Sequence, residues 1–194
     1  TKKMLYDRKD LIQKILDINV QSITEYLTLQ ADYGAQALMI FDNWGGLLPD
    51  GWYQRMSLAA MQKVIALLPR EYEGRKIPII MFTKGGGIWL KDMAQVGADV
   101  IAMDWTMRLS RARKELLDIN KPLTLQGNLD PLILFAEPKQ IAAAASEVLE
   151  DLASAPPLNP KVHSLDGHIF NLGHGINQFT PPESVAALSE TVIS

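Results

Sequence analysis

Apolar positions in the first third of the chain fall at helical spacing. Ile12, Leu16, Val20, Ile23, Leu27 and Ala31 recur every three or four residues, which predicts one long amphipathic helix over residues 8–33. Gly34 follows as a left-handed stop. The pattern then changes to short, nearly continuous apolar runs of strand length. These are Gln36–Phe41, Ile77–Phe82, Asp99–Met103, Leu123–Leu125 and Gly167–Leu172. Pro78 suits the start of its strand rather than the middle. Helical stripes lie between the runs: Met56, Ala60, Val64, Leu67 and Leu68 form one, and Ile141, Ala145, Val148, Leu149 and Leu152 another. Residues 87–97 and 107–119 fit two shorter helices, and Pro181-Pro182-Glu183 opens a last one. Residues 154–166, with Pro156, Pro157 and Pro160, read as a loop.

Apolar strands alternating with helices predict a parallel sheet. The segment Gly34-Ala35-Gln36-Ala37-Leu38 is echoed by Gly97-Ala98-Asp99-Val100-Ile101, a helix end feeding a strand in both cases. Five strands suit either a small doubly wound sheet or part of an eight-stranded barrel. Every strand ends in glycine or polar residues, as a barrel presents its site, and this favours the barrel. The expected fold is thus α/β, an incomplete (β/α)8 TIM barrel of about the last five βα units with parallel strands. Residues 1–194 would be the C-terminal part of a single barrel domain whose N-terminal part is absent. Two unpaired parallel edges would then invite association.

Composition narrows the function. A net charge of -3 gives no basic field for nucleic acid or anionic membrane. There is no cysteine, which removes disulfides, thiolate zinc sites and a cysteine nucleophile. No apolar run approaches the roughly 20 residues of a membrane helix. The chain opens Thr1-Lys2-Lys3, which reads as a fragment or the ordered part of a longer protein.

The strand ends carry the candidate chemistry. Asp42-Asn43-Trp44-Gly45-Gly46 is either a ligand-facing turn or a turn in which Asp42 caps a helix. Thr83-Lys84-Gly85-Gly86-Gly87 is a flexible turn or an amide cradle for phosphate, but its lysine precedes the glycines, so it is no P-loop. Asp104 is a base, ligand or orienting group, or equally a cap or ion-pair partner. Asp130-Pro131 is a helix start, and Gln126 and Asn128 bind either loops or substrate. His174 lies between Gly173 and Gly175, and this setting marks it as a site residue. His163 and His168 make no metal-ligand spacing with it and read as loop or surface groups. The four tryptophans read as packing residues, with Trp44 and Trp105 nearest the site.

Phe41-Asp42-Asn43-Trp44-Gly45-Gly46, Leu125-Gln126-Gly127-Asn128-Leu129-Asp130-Pro131 and Asn171-Leu172-Gly173-His174-Gly175 together resemble the uroporphyrinogen decarboxylase family. Met103-Asp104-Trp105-Thr106 matches in order and spacing. The likeness runs over essentially the whole chain and corresponds to the family's C-terminal half or slightly more. It implies an eight-stranded α/β barrel, a cytoplasmic homodimer, and a lyase of porphyrin and haem biosynthesis. Such enzymes remove the carboxyl groups of the four acetate side chains of uroporphyrinogen to give coproporphyrinogen. They use no metal and no organic cofactor; the pyrrole is the electron sink.

The resemblance implies substrate-binding roles for His174, Asn43 and Phe41. Phe41 matches a cleft-lining aromatic, and His174 matches a histidine that binds substrate. Asn43 stands where the family commonly has serine, which keeps hydrogen bonding but loses the hydroxyl. The family's arginine-rich segment, central aspartate and neighbouring tyrosine have no counterpart, so no catalytic residue is assigned in this chain, and the chain alone is expected to be inactive. The expected partners are the tetrapyrrole and either a second copy or a missing N-terminal segment, with no nucleic acid and no membrane. Two alternatives stand beside this reading. One is a corrinoid- or methyl-transferring relative, against which the lack of cysteine and of a close histidine pair argues. The other is a non-catalytic half-barrel that serves as an interaction module.

Overall fold

The computed structural model describes residues 2–159, 161 and 163–193. Thr1 and Pro160, both used in the sequence reading, lie outside the described residues. A one-turn helix, α1 (Met4–Asp7), precedes the long helix α2 (Lys9–Asp32), which packs beside α3 (Ala59–Leu67). Gly34 and Gly97 both take positive φ (96° and 91°), so the echoed segments are the same structural device, a left-handed exit into a strand.

Five strands form one parallel sheet: β1 (Leu38–Asp42), β4 (Ile79–Thr83), β5 (Val100–Ala102), β6 (Thr124–Leu129) and β7 (His168–Leu172), adjacent in that order. The order never reverses, so the sheet has no switch point and is not doubly wound. Between the strands lie α3, the single turn α4 (Leu90–Met93), α5 (Leu109–Asp118) and α6 (Pro138–Ala153). α7 (Pro182–Ile193) follows β7 and packs on α6. Leu38, Ile40, Ile79, Met81, Ile101 and Leu125 alternate toward the main core, which they share with these helices. A smaller core of Leu129, Leu134, Ile141, Ala145 and Leu188 seats the last two helices.

The opposite face of the sheet is concave. Gln126 on β6 reaches Met39 on β1, with Nε2 and Sδ 3.9 Å apart. Three strand steps on a flat sheet would separate those positions by about 14 Å. Only a strong curl lets the side chains meet.

Several expectations are corrected. The fourth strand does not stop at Leu125 but continues to Leu129, with Gln126 and Asn128 buried inside it. Their side chains find partners: Gln126 Nε2 donates to Met39 Sδ at 3.9 Å, and Asn128 Nδ2 donates to the carbonyls of Asp104 and Met107 at 2.8 and 2.6 Å. The helix over 87–97 is broken into a 3-10 turn (Gly86–Trp89) and α4. The stripe leading into α3 begins as a π turn, Gln54–Leu58. Ile23 and Leu67 are exposed rather than core. His168 is not on a loop but in β7, where its Nε2 meets the Gly127 carbonyl at 2.8 Å.

A small antiparallel hairpin, β2 (Glu71–Tyr72) and β3 (Arg75–Lys76), was not foreseen. Its turn residues Glu73 and Gly74 both have positive φ, the geometry a two-residue hairpin needs. Asp99 sits near it at the N-terminal ends of the strands. Its carboxylate accepts from Ile79 N at 2.8 Å and pairs with Arg70 at 2.7 Å and Lys76 at 3.0 Å. Burial pulls this carboxyl up, but the amide and the two cations outweigh it and leave the pKa lowered.

Candidate functional site

The loops after the strands gather at one end of the sheet. After β1, Asp42 organises its own turn. Its carboxylate accepts from the amides of Trp44 at 3.0 Å and Gly45 at 2.7 Å, and Ser57 Oγ donates to its other oxygen. These bonds to the amides two and three residues on make Asp42 a brace of its own turn, ahead of the short 3-10 turn that Gly45 starts. The turn leaves Asn43 projecting next to it.

Asn43 meets His174. The Oδ1 of Asn43 lies 3.2 Å from Nε2 of His174. An amide oxygen only accepts, so this contact assigns the proton to Nε2 and leaves Nδ1 facing away from it. Asn43 follows the first strand of the sheet and His174 the last. Four strand steps on a flat sheet would hold their strands about 19 Å apart. The curl therefore brings the two ends of the sheet together in this one hydrogen bond.

An aromatic patch continues from it. The Phe82 ring lies 5.9 Å from the His174 ring, and the Phe41 ring meets Phe82 edge-on at 6.0 Å. Phe41 and Phe82 are paired in register on adjacent strands. Phe41 is 64% exposed, an unusual position for a large apolar side chain unless something covers it. The three residues singled out by resemblance, His174, Asn43 and Phe41, thus share one surface. Phe82 completes that surface and was read only as a strand residue; its signal was its place at a strand end, opposite Phe41.

The remaining strand ends are supports. Asp104 is 3% exposed, and its carboxylate takes the Gly85 amide at 2.6 Å together with the Thr106 amide (3.0 Å) and hydroxyl (2.5 Å). It is an orienting group that ties two loops, and it occupies an amide of the glycine-rich turn. Asp130 caps the turn Pro131–Phe135 by accepting from Leu132 N at 2.9 Å. Gly173 is required by close approach, because a Cβ there would stand 2.9 Å from the Trp105 amide nitrogen and 3.0 Å from its ring edge.

Two tryptophans depart from the packing role. Trp44 is 74% exposed and Trp105 is 39% exposed, both on the rim of the site. Beneath it, Tyr53 stacks on Trp89 at 4.2 Å and shares a 2.9 Å hydrogen bond with Thr83 Oγ1. Burial pushes the Tyr53 hydroxyl well above its ordinary pKa, so it stays protonated. Among the described residues, no group of three or more His, Asp or Glu side chains could hold a metal ion, and no helix is long and apolar enough to cross a membrane.

Comparison with known proteins adds the lineage. The family model for uroporphyrinogen decarboxylase matches residues 1–194. The chain is 52% identical over 191 residues to the uroporphyrinogen decarboxylase of Cupriavidus pinatubonensis, which covers 98% of this chain and 50% of that protein. It is 52% identical to that of Ralstonia nicotianae, with the same coverage, and 51% identical to that of Burkholderia thailandensis, covering 98% and 49%. The chain spans about half the length of the curated relatives it matches.

Proposed function

The chain belongs to the uroporphyrinogen decarboxylase family, and from that premise we propose that it is the C-terminal part of an enzyme that decarboxylates the acetate side chains of uroporphyrinogen in porphyrin biosynthesis. The observation that carries this reading is the 3.2 Å contact between Asn43 and His174 at the rim of a concave sheet, flanked by Phe41 and Phe82. A donor, an acceptor and the exposed ring of Phe41, backed by the buried Phe82, suit a flat, polar-edged ring. In this reading His174, Asn43 and Phe41 bind the substrate, and no group of this chain carries the central proton transfer.

The sheet is proposed to be an arc of an eight-stranded barrel, and residues 1–194 part of one barrel domain. The uninterrupted strand order and the strong curl support this. So does an apolar cleft of about 610 Å³ beside β1, lined by Ile12, Ile15, Val20, Ile23, Ile40 and Met56. Another segment of the same barrel would fill it. A homodimeric, cytoplasmic enzyme working without a cofactor is the corresponding expectation for the complete protein.

The test is turnover. The complete protein carrying this segment should convert uroporphyrinogen to coproporphyrinogen under anaerobic conditions, with product identified by chromatography after oxidation. The 194-residue chain alone should show none above background. Absence of turnover by the complete protein would remove the reading, and full turnover by the isolated chain would remove the division of labour within it.

A further inference from the structure

Any ligand at the rim meets an acidic chain, with a net charge of -3. In the stretches between each strand end and the helix that follows, three cations occur among the described residues, Arg55, Lys84 and Arg108, and Arg55 lies over the Trp52 ring, 5.2 Å from its centroid. Arg108 is committed to Glu147 and Asp151, at 3.6 and 3.3 Å. Lys84 has no carboxylate at ion-pair distance among the described residues. Its Nζ instead lies over the Trp105 ring, 5.7 Å from the centroid.

Lys84 is exposed, yet its backbone is fixed on every side. Its amide donates to the Asp42 carbonyl at 3.0 Å, and its carbonyl accepts from Gly46 N at 3.1 Å. The next amide, Gly85 N, donates to Asp104. Asp104 is covalently followed by Trp105, so one buried carboxylate sets both the turn bearing the cation and the loop bearing the ring. Gly173 packs against the backbone and ring edge of Trp105, and His174 follows it. Lys84 and the His174 loop therefore both approach the same indole.

We propose that Lys84, seated over Trp105 and placed by Asp104, is an anchoring cation of the substrate mouth that takes a carboxylate of the tetrapyrrole. The inference rests on the function proposed above and assigns it a residue that the family motifs did not single out. A cation resting on an aromatic face keeps its N–H donors free for an anion while losing little freedom on binding. Trp105 then has two contacts, holding the ammonium over its ring and bracing the histidine loop at its ring edge.

The test compares Lys84→Met and Lys84→Arg with the unaltered complete protein. Equilibrium binding of uroporphyrin, the stable oxidised polycarboxylate, is measured at low and high salt, together with initial rates on uroporphyrinogen. Lys84→Met should weaken binding and raise KM about tenfold at low salt, the weight of one charge-assisted hydrogen bond, with kcat little changed. The difference should shrink at high salt, and Lys84→Arg should restore most of the affinity. Unchanged low-salt binding in Lys84→Met, or a loss that Lys84→Arg does not relieve, would overturn the assignment while turnover by the unaltered protein still stood. Failure of the unaltered protein to turn over substrate would instead overturn the functional reading on which the assignment rests.

Discussion

At the residue scale, the site turns on a hydrogen bond between groups 131 positions apart. The Asn43 side chain is long enough for its amide oxygen to reach the imidazole of His174 at 3.2 Å. If Asn43 acts through His174, then Asn43→Leu, which keeps the size but cannot accept, should raise KM about fivefold, the usual net weight of one hydrogen bond. His174→Ala should cost at least as much, and the double variant no more than His174→Ala alone. Additive losses in that cycle would show that the two residues act separately. His168 supplies a second residue-scale expectation. Burial lowers its pKa, the Gly127 carbonyl opposes this, and nearby Arg113 reinforces it. A histidine held neutral in the folded state binds fewer protons than the unfolded chain below about pH 6.5. Its contribution to stability is therefore full above that pH and is lost as pH falls toward the lowered folded value. His168→Gln should flatten the decline in stability between about pH 6.5 and 5 in denaturant titrations; an unchanged slope would place the acid sensitivity elsewhere.

At the element scale, the turn leading into the edge strand β7 is clasped by one buried cation. Arg113 on α5 is fully buried and donates to the carbonyl of Ser164, to that of Asp166 at 3.1 Å and to that of Gly167 at 3.2 Å. Burial lowers its pKa, with Asp166 pulling the other way. Arg113→Met would relieve the cost of burying a charge but would leave the carbonyls of Ser164 and Asp166 without a donor, while that of Gly167 keeps the Leu125 amide at 3.0 Å. The lost bonds should win, with a net destabilisation of about 2 kcal/mol. Hydrogen exchange should show it first, as lost protection over 163–172 while α2 and β4 stay protected; uniform loss would argue against a local clasp. Nothing in the sequence marks Arg113, which looks like one of several charges on a polar helix face. The five strands, by contrast, were legible, because each is an apolar run ended by glycine or polar residues. Their limits were less so. β6 was cut short at Gln126 because burial of polar side chains depends on partners, Asp104 and Met107, that only the folded chain brings near. The β2–β3 hairpin went unseen because its strands are two residues long and charged. The site residues were found by motif resemblance, and their mutual contact only by the fold.

At the scale of the whole molecule, the question is what covers the two ends of the sheet. β1 and β7 are both edges, and β1 opens directly onto the apolar cleft beside α2. Ile12, Val20, Leu27 and Ala31 of the α2 stripe are buried, but Ile23 of that stripe is exposed, as are Ile15 and Ile18 on the same helix. An amphipathic helix that leaves part of its apolar side in water beside an unpaired strand presents a template for another chain. If the cleft is the seat of the preceding part of a barrel, the isolated 194-residue chain should not remain monodisperse. Sedimentation velocity should show dimers or larger species at micromolar concentration, and a dye that reports exposed apolar surface should bind. Supplying the N-terminal half of the same protein as a separate polypeptide should abolish both effects and restore uroporphyrinogen turnover. Each half alone should remain inactive if, as proposed above, this chain supplies only substrate-binding groups. A stable monomer that neither binds the dye nor responds to the N-terminal half would mean that the curled sheet is complete by itself. The exposed side of α2 would then need a different explanation.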